Sequence, residues 1–461
     1  MIENQLTKQI LNILLGNGAD FSEIFIQKRA FNNIRLEDSK IENSSSGYEL
    51  GCGLRLWVGD STFYAYVDSL EESKLLNAAK ILSSAINGTG SLKVLDFTET
   101  KSSYVTVVKK LPDSVRSDTK KDTLELIDRS ARDFNPAIIQ VTSTLSDTEE
   151  ETYIANSYGS FSSEKIVKIF LAVNVVARRG KDIRTGYKSL ARSSGYEAFD
   201  FKNPVDLALE ASKIAVNMLD AVGAPAGEFP VVIGPAFGGV IFHEACGHGL
   251  EADAVLKNAS VFKDKVGKKI ASEIVTAIDD STLKYRWGSY KFDGEGFPSN
   301  RTVLIKDGIL QNYIYDLRTS KKLGAKQTGN GRRQSFRDVP FPRMSNTFID
   351  SGDEDPDSII RSVNKGIYAK EFAGGQVDPA TGDFVFGISE GYLIENGKIS
   401  FPIKDTTIIG NGPEALKRIE AVGNNLDFAP GFCGKNDQLV SNEVGQPTIK
   451  VEKITVGGIK D

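Results

Sequence analysis

Residues 243–253 read His-Glu-Ala-Cys-Gly-His-Gly-Leu-Glu-Ala-Asp, and His243 and His248 are the only two histidines in 461 residues. Histidine is the commonest metal ligand and the side chain that titrates nearest neutrality. Two of them bracketing Glu244 point to a metal site that carries its own general base. In the familiar helical zinc motif the two ligands are four residues apart, a rotation of about 400° that brings both rings to one side. Here the interval is five residues, about 500°, and a regular helix would leave the second ring roughly 140° from the first. A single π-helical turn absorbs the extra residue. Gly247 and Gly249, flanking His248, ease that distortion.

Two imidazoles do not complete a catalytic zinc site, which takes three protein ligands and keeps a position open for water. With no third histidine, the remaining ligand is Cys, Asp or Glu. Cys433 lies in a glycine-framed loop, Ala429-Pro430-Gly431-Phe432-Cys433-Gly434-Lys435. Cys246 follows His243 by three residues and could share its helix face. Glu251 could serve as a ligand or as a partner that orients one.

Around this run the chain divides in two. Ala221-Val222-Gly223-Ala224-Pro225-Ala226-Gly227 is small and breaker-rich, so the boundary is placed there, with domains at 1–225 and 226–461. Upstream, Leu6, Ile10, Leu11, Leu14 and Leu15 mark a helix face, and helical periods return at 70–85, 112–134 and 204–220. Strands are read at 23–27, 33–36, 54–58, 62–67, 137–145, 150–156 and 164–178. Downstream, short strands and glycine turns dominate: 230–233, 302–305, 311–315, 347–350, 384–388, 392–395 and 398–402. The expected fold class is α+β, with an N-terminal α/β-type domain on a mixed or antiparallel sheet and a β-rich, antiparallel C-terminal domain.

Bulk composition narrows the function. Hydrophobic content of 40% and charged content of 25% are those of a soluble globular protein. The net charge of −5 disfavours a dedicated nucleic-acid binder. Three widely spaced cysteines, an odd number, fit a reducing compartment better than a disulfide framework. No signal peptide is visible, and no apolar run approaches the roughly 18 residues of a membrane helix. The expectation is a cytoplasmic protein without a membrane partner.

Further blocks extend the pattern. Residues 243–253 resemble the catalytic, TldD-like branch of the TldD/PmbA metalloprotease family. So do Glu295-Gly296-Phe297-Pro298-Ser299-Asn300-Arg301-Thr302, Thr328-Gly329-Asn330-Gly331-Arg332-Arg333 and Pro342-Arg343-Met344-Ser345-Asn346-Thr347. Gly374-Gly375-Gln376-Val377-Asp378, Phe384-Val385-Phe386, Ala421-Val422-Gly423-Asn424 and Gly445-Gln446-Pro447 follow in family order, covering most of 230–450. The resemblance implies a zinc peptidase with His243, His248 and Cys433 as ligands and Glu244 as the catalytic acid/base. It raises Cys433 above Cys246. It also implies a dimer, with itself or with a PmbA-like paralogue that lacks the histidine motif, and the family's association with modulation of DNA gyrase.

In such a site Glu244 would take a proton from the attacking water and pass it to the leaving amine. Arg332, Arg333, Arg337 and Arg343 are candidates for holding substrate or the developing oxyanion, although a basic glycine-containing loop is more often simply solvated. The strand content suggests that unfolded or extended peptides bind by main-chain pairing to an exposed strand. Two other readings compete: a non-catalytic partner or scaffold subunit, and a metal-dependent amidase acting on small molecules. Glu244 argues against the first, because a structural site needs no base.

Overall fold

The computed structural model describes residues 2–104, 106–378 and 380–458. Its architecture is α+β, as the sequence pattern predicts. The N-terminal half is a seven-stranded sheet in which Ser61–Val67, Lys40–Val58, Phe21–Glu37, Ile138–Asn156 and Ser160–Arg179 lie side by side. Asp182–Arg192 and the short Thr98–Glu99 both pair with Ser160–Arg179.

The period-two alternation of the strands separates two faces. On Phe21–Glu37, Ile24, Ile26, Ile34 and Leu36 are buried in the helix layer. Helices Asn4–Leu15 and Glu72–Ser84 cover one end of that layer, and Ser117–Phe134 and Pro204–Asn217 cover the other. The intervening residues point the opposite way, into the C-terminal half. Phe25 packs with Phe336, and the side-chain oxygen of Gln27 accepts the Phe336 N–H at 3.0 Å.

Several strands read as pairs of short segments are continuous. Phe21–Glu37 joins the expected 23–27 and 33–36, and Ile138–Asn156 joins 137–145 and 150–156. Residues 40–53 and the strand Asp182–Arg192 go unread in the sequence. The first half of Lys40–Val58 is polar and exposed on both faces, so no apolar alternation announces it.

The two halves are joined by buried charge. The Arg55 guanidinium donates to Glu23 at 2.6 Å and to Glu295 at 2.7 Å, and Arg333 also pairs with Glu23. No side chain in this group is more than 2% exposed. Removing one member leaves a carboxylate buried without its counter-ion, a loss of about 3–5 kcal/mol. Arg55→Met is therefore expected to lower the unfolding free energy obtained from urea denaturation by an amount in that range. A change under about 1 kcal/mol would show that this network does not hold the halves together.

The C-terminal half is β-rich, with two main sheets. In the larger, Lys365–Val377, Gly227–Ile233, Ile449–Gly457, Thr406–Asn411 and Asp383–Glu395 pair in a closed ring. Val222–Gly223 joins this sheet through Lys398–Lys404. In the smaller, the order is Ile309–Leu310, Arg301–Lys306, Ala277–Asp280, Asn346–Ile349, Gln438–Gln446 and Asp427–Lys435. The expected antiparallel pattern is interrupted by parallel pairs, including Asn346–Phe348 against Glu443–Gly445. Between its hairpins this half also makes long excursions from strand to strand, and those excursions permit parallel pairing. Among the described residues no helix is long and apolar enough to cross a membrane.

Candidate metal centre

The chain enters the site through an α-helical turn, Val240–Phe242, which passes into a π-helical turn, His243–Gly247, and then a 3₁₀ turn, His248–Leu250. The five-residue interval between the histidines is absorbed in the π turn. The rings end with centroids 5.0 Å apart and planes at 85°. Gly247 serves a different purpose from the one its sequence position suggests. Its backbone is ordinary right-handed helix, with φ −55°. A Cβ there would lie 2.2 Å from the Met344 sulfur, so a side chain at this position would have to displace the buried Met344.

Cys433 arrives from the opposite direction on Asp427–Lys435, in a hairpin with Gln438–Gln446. Asn436 and Asp437 close it, both with positive φ, as a tight two-residue turn requires. The Cys433 sulfur lies 3.5 Å from His248 Nε2. Nitrogens of both histidines and this sulfur all fall within 4.8 Å of one another. Burial pushes the Cys433 thiol up, but His243 and His248 outweigh it and hold the group well below the ordinary thiol range. The sulfur is thus favoured as thiolate, the form that binds metal.

The surroundings orient both rings. His248 Nδ1 lies 2.9 Å from Glu251, which is buried and also accepts from Lys435 at 2.8 Å. Lys435 bonds Asp253 at 2.7 Å as well. Burial raises the Glu251 carboxyl, but Lys435 and His248 hold it far below the usual range. Burial lowers the His248 imidazole, but Glu251 and Cys433 outweigh it and hold it well above the ordinary range, so Nε2 carries toward Cys433 a proton that a metal ion would displace. The Asn442 side-chain amide lies 3.2 Å from His243 Nδ1. With its oxygen turned to the ring it accepts Nδ1–H and leaves the His243 Nε2 lone pair free. Glu244 keeps 30% of its side chain exposed, and its carboxylate lies 3.8 Å from His248 Nε2.

The other candidates sit elsewhere. Cys246 is in the apolar core with Ile233, Phe242 and Ile449, where burial raises its thiol. Glu251 touches His248 from behind. Arg332 donates to the carbonyls of Met344 and Ser441, and Arg343, wholly buried, donates to those of Cys433 and Gln438. Arg333 is in the buried charge network with Glu23, while Arg337 is half-exposed between Glu49 and Asp68. Lys435 and Asn442 escaped the sequence reading. The Asn436-Asp437 turn could have exposed Asn442: it fixes the register Gly431↔Asn442 and Cys433↔Val440, which puts Asn442 on the face of Cys433.

Comparison with known proteins adds independent evidence. Residues 226–458 match the PmbA/TldA metallopeptidase C-terminal domain, residues 110–219 its central domain and residues 22–86 its domain 1. The chain is 37% identical over 472 residues to the metalloprotease TldD homolog of Haemophilus influenzae, covering 99% of this chain and 97% of that one. It is 34% identical over 289 residues to the zinc metalloprotease TldD homolog of Saccharolobus solfataricus, covering 62% and 64%. The fold is similar to that of TldE from Thermococcus kodakarensis, with a TM-score of 0.80, 21% identity and coverage of 98% and 100%. It is equally similar to a Thermotoga maritima protein named as a candidate modulator of a DNA gyrase, with a TM-score of 0.81, 21% identity and coverage of 98% and 99%.

Proposed function

The chain belongs to the PmbA/TldD family of metallopeptidases, and from that premise we propose that it is a zinc-dependent peptidase acting on unfolded or extended peptides. His243, His248 and Cys433 are its ligands and Glu244 its general base. The observation that carries this reading is the convergence of two imidazoles and one thiolate from segments 185 residues apart, with a partly exposed carboxylate beside them.

The donor set fits zinc. Two nitrogens and a sulfur suit a borderline-soft ion and not magnesium or calcium, which take oxygen. When bound, the ion would supply Lewis-acid polarisation and lower the pKa of water beside it. In this reading Glu244 would take a proton from the attacking water and return it to the leaving amine. Glu251 holds the His248 ring, and Lys435 balances the charge this leaves. Arg332 and Arg343 act as positioning residues in this reading, because their bonds to backbone carbonyls hold the hairpin of Cys433 against the segment around Met344.

The strand Asp427–Lys435 lies at the edge of its sheet and pairs with one neighbour among the described residues. Its other edge supports main-chain pairing with an extended peptide next to Cys433. Hydrolysis of a mixture of unfolded peptides, with and without a zinc chelator, tests the proposal. Chelation is expected to abolish cleavage, and stoichiometric zinc to restore it. Peptides N-methylated along the backbone should be cleaved more slowly. Cleavage that survives complete removal of metal would end the reading, and equal turnover of small amides would favour an amidase.

A further inference from the structure

On the other side of the Cys433 hairpin, the second face of the N-terminal sheet and the C-terminal half enclose a cavity of about 300 Å³. That is the lower end of the range of small-molecule sites. One strand separates it from the histidines: Ser441 lines the cavity, while the next residue, Asn442, reaches His243. Phe25, Trp287, Tyr290, Phe292 and Phe432 supply aromatic walls.

Most charged groups in the wall are already satisfied. Asp293 accepts backbone N–H groups of Glu295, Phe297 and Gly331, and Glu164 accepts those of Lys291 and Phe292. Arg332 and Arg333 are committed as described above. Lys168 donates to the Trp287 carbonyl and to the Ser441 hydroxyl. Arg29 is the exception. Its side chain makes no hydrogen bond or ion pair among the described residues; its only contact of this kind is the Phe31 ring, 5.9 Å away. Its Nε is shielded from water without a partner. Glu150 sits directly across from it in the strand register, yet bonds Gln27 instead.

Four cations, Arg29, Lys168, Arg332 and Arg333, line the cavity with three carboxylates, Glu150, Glu164 and Asp293. Burial, followed by the nearby charge of Arg332, holds Lys168 down to about 7, and Arg29 adds to the effect. Burial also pushes Glu164 up to about 7. An uncommitted guanidinium among aromatic rings is the arrangement that receives a carboxylate attached to an apolar body. We propose that this cavity binds a carboxylate carried on an apolar or aromatic group, with Arg29 as the anchoring cation and Trp287 and Phe432 as the apolar wall.

Two sources share that chemistry, the C-terminal residue of a peptide and a free carboxylic acid. Calorimetric titration of the full chain separates them, using N-acetylphenylalanine, its amide, and acetyl-Gly-Gly-Phe as acid and as amide. At least one acid is expected to bind at least tenfold more tightly than its amide. Arg29→Gln should remove that preference, and Arg29→Lys, which keeps the charge, should retain part of it. Binding of the tripeptide acid alone marks a peptide terminus as the source, and equal binding of N-acetylphenylalanine marks the free acid. Equal affinity for acid and amide, no binding of any of the four, or an unchanged preference in a folded Arg29→Gln variant would overturn the proposal. Binding is read without turnover, so the result is independent of the peptidase reading.

Discussion

Glu244→Gln is expected to keep its metal and lose peptide hydrolysis by about 10²–10⁴-fold, the usual contribution of a positioned general base. The substitution is nearly isosteric. Glu244 has no side-chain hydrogen bond among the described residues, and its one ion-pair contact, with His248, is long at 3.8 Å. The fold therefore has little to lose. The three ligand atoms come from other residues, so metal content should stay near one equivalent while kcat falls and KM changes little. Metal analysis and steady-state kinetics on one unfolded peptide check both halves of the expectation. A variant that hydrolyses within threefold of the parent would move the base to another residue. One that loses metal and activity together would make Glu244 a ligand.

The second large effect is expected at Cys433. Serine offers an alcohol that stays protonated near neutrality, where the cysteine is held as thiolate by the two imidazoles beside it. Cys433→Ser should weaken zinc binding by more than the roughly 10–100-fold typical of losing only an orienting partner. Hydrolysis should fall to background with it. Cys246→Ser is the matched control. Both sulfurs are buried, at 1% and 3% exposure, but Cys246 lies in the apolar core and touches neither ring. It should hold its zinc and lose some stability. Equal zinc retention in the two variants would remove Cys433 from the site.

Much of this centre was legible because its signals are local. The histidine interval demanded one extra residue of helical turn, and a π turn stands there. The fold class and the main helices were legible for the same reason: Ile10, Leu11, Leu14 and Leu15 can be buried together only on a helix. What escaped depends on long-range pairing. The outer part of the hairpin formed by Phe21–Glu37 and Lys40–Val58 has no buried face to imprint an alternation. Asp182–Arg192 carries mixed residues because one of its faces is largely exposed. Arg332, Arg333 and Arg343 read as a basic loop because each has an acceptor, the Ser441 carbonyl, Glu23 and the Cys433 carbonyl respectively, in a segment far away in the chain. Lys435 follows the same rule: its charge makes sense only once Glu251 and Asp253 are folded against it.

The parallel pairing of Asn346–Phe348 with Glu443–Gly445 sets an order of events during synthesis. The sulfur donor rides on a hairpin that cannot dock until residues 427–446 have left the ribosome and found a strand made some ninety residues earlier. On the proposed ligand set, a nascent chain holds both imidazoles long before it can close the cage around an ion. On that reading, hydrolytic power would arrive only with the finished fold.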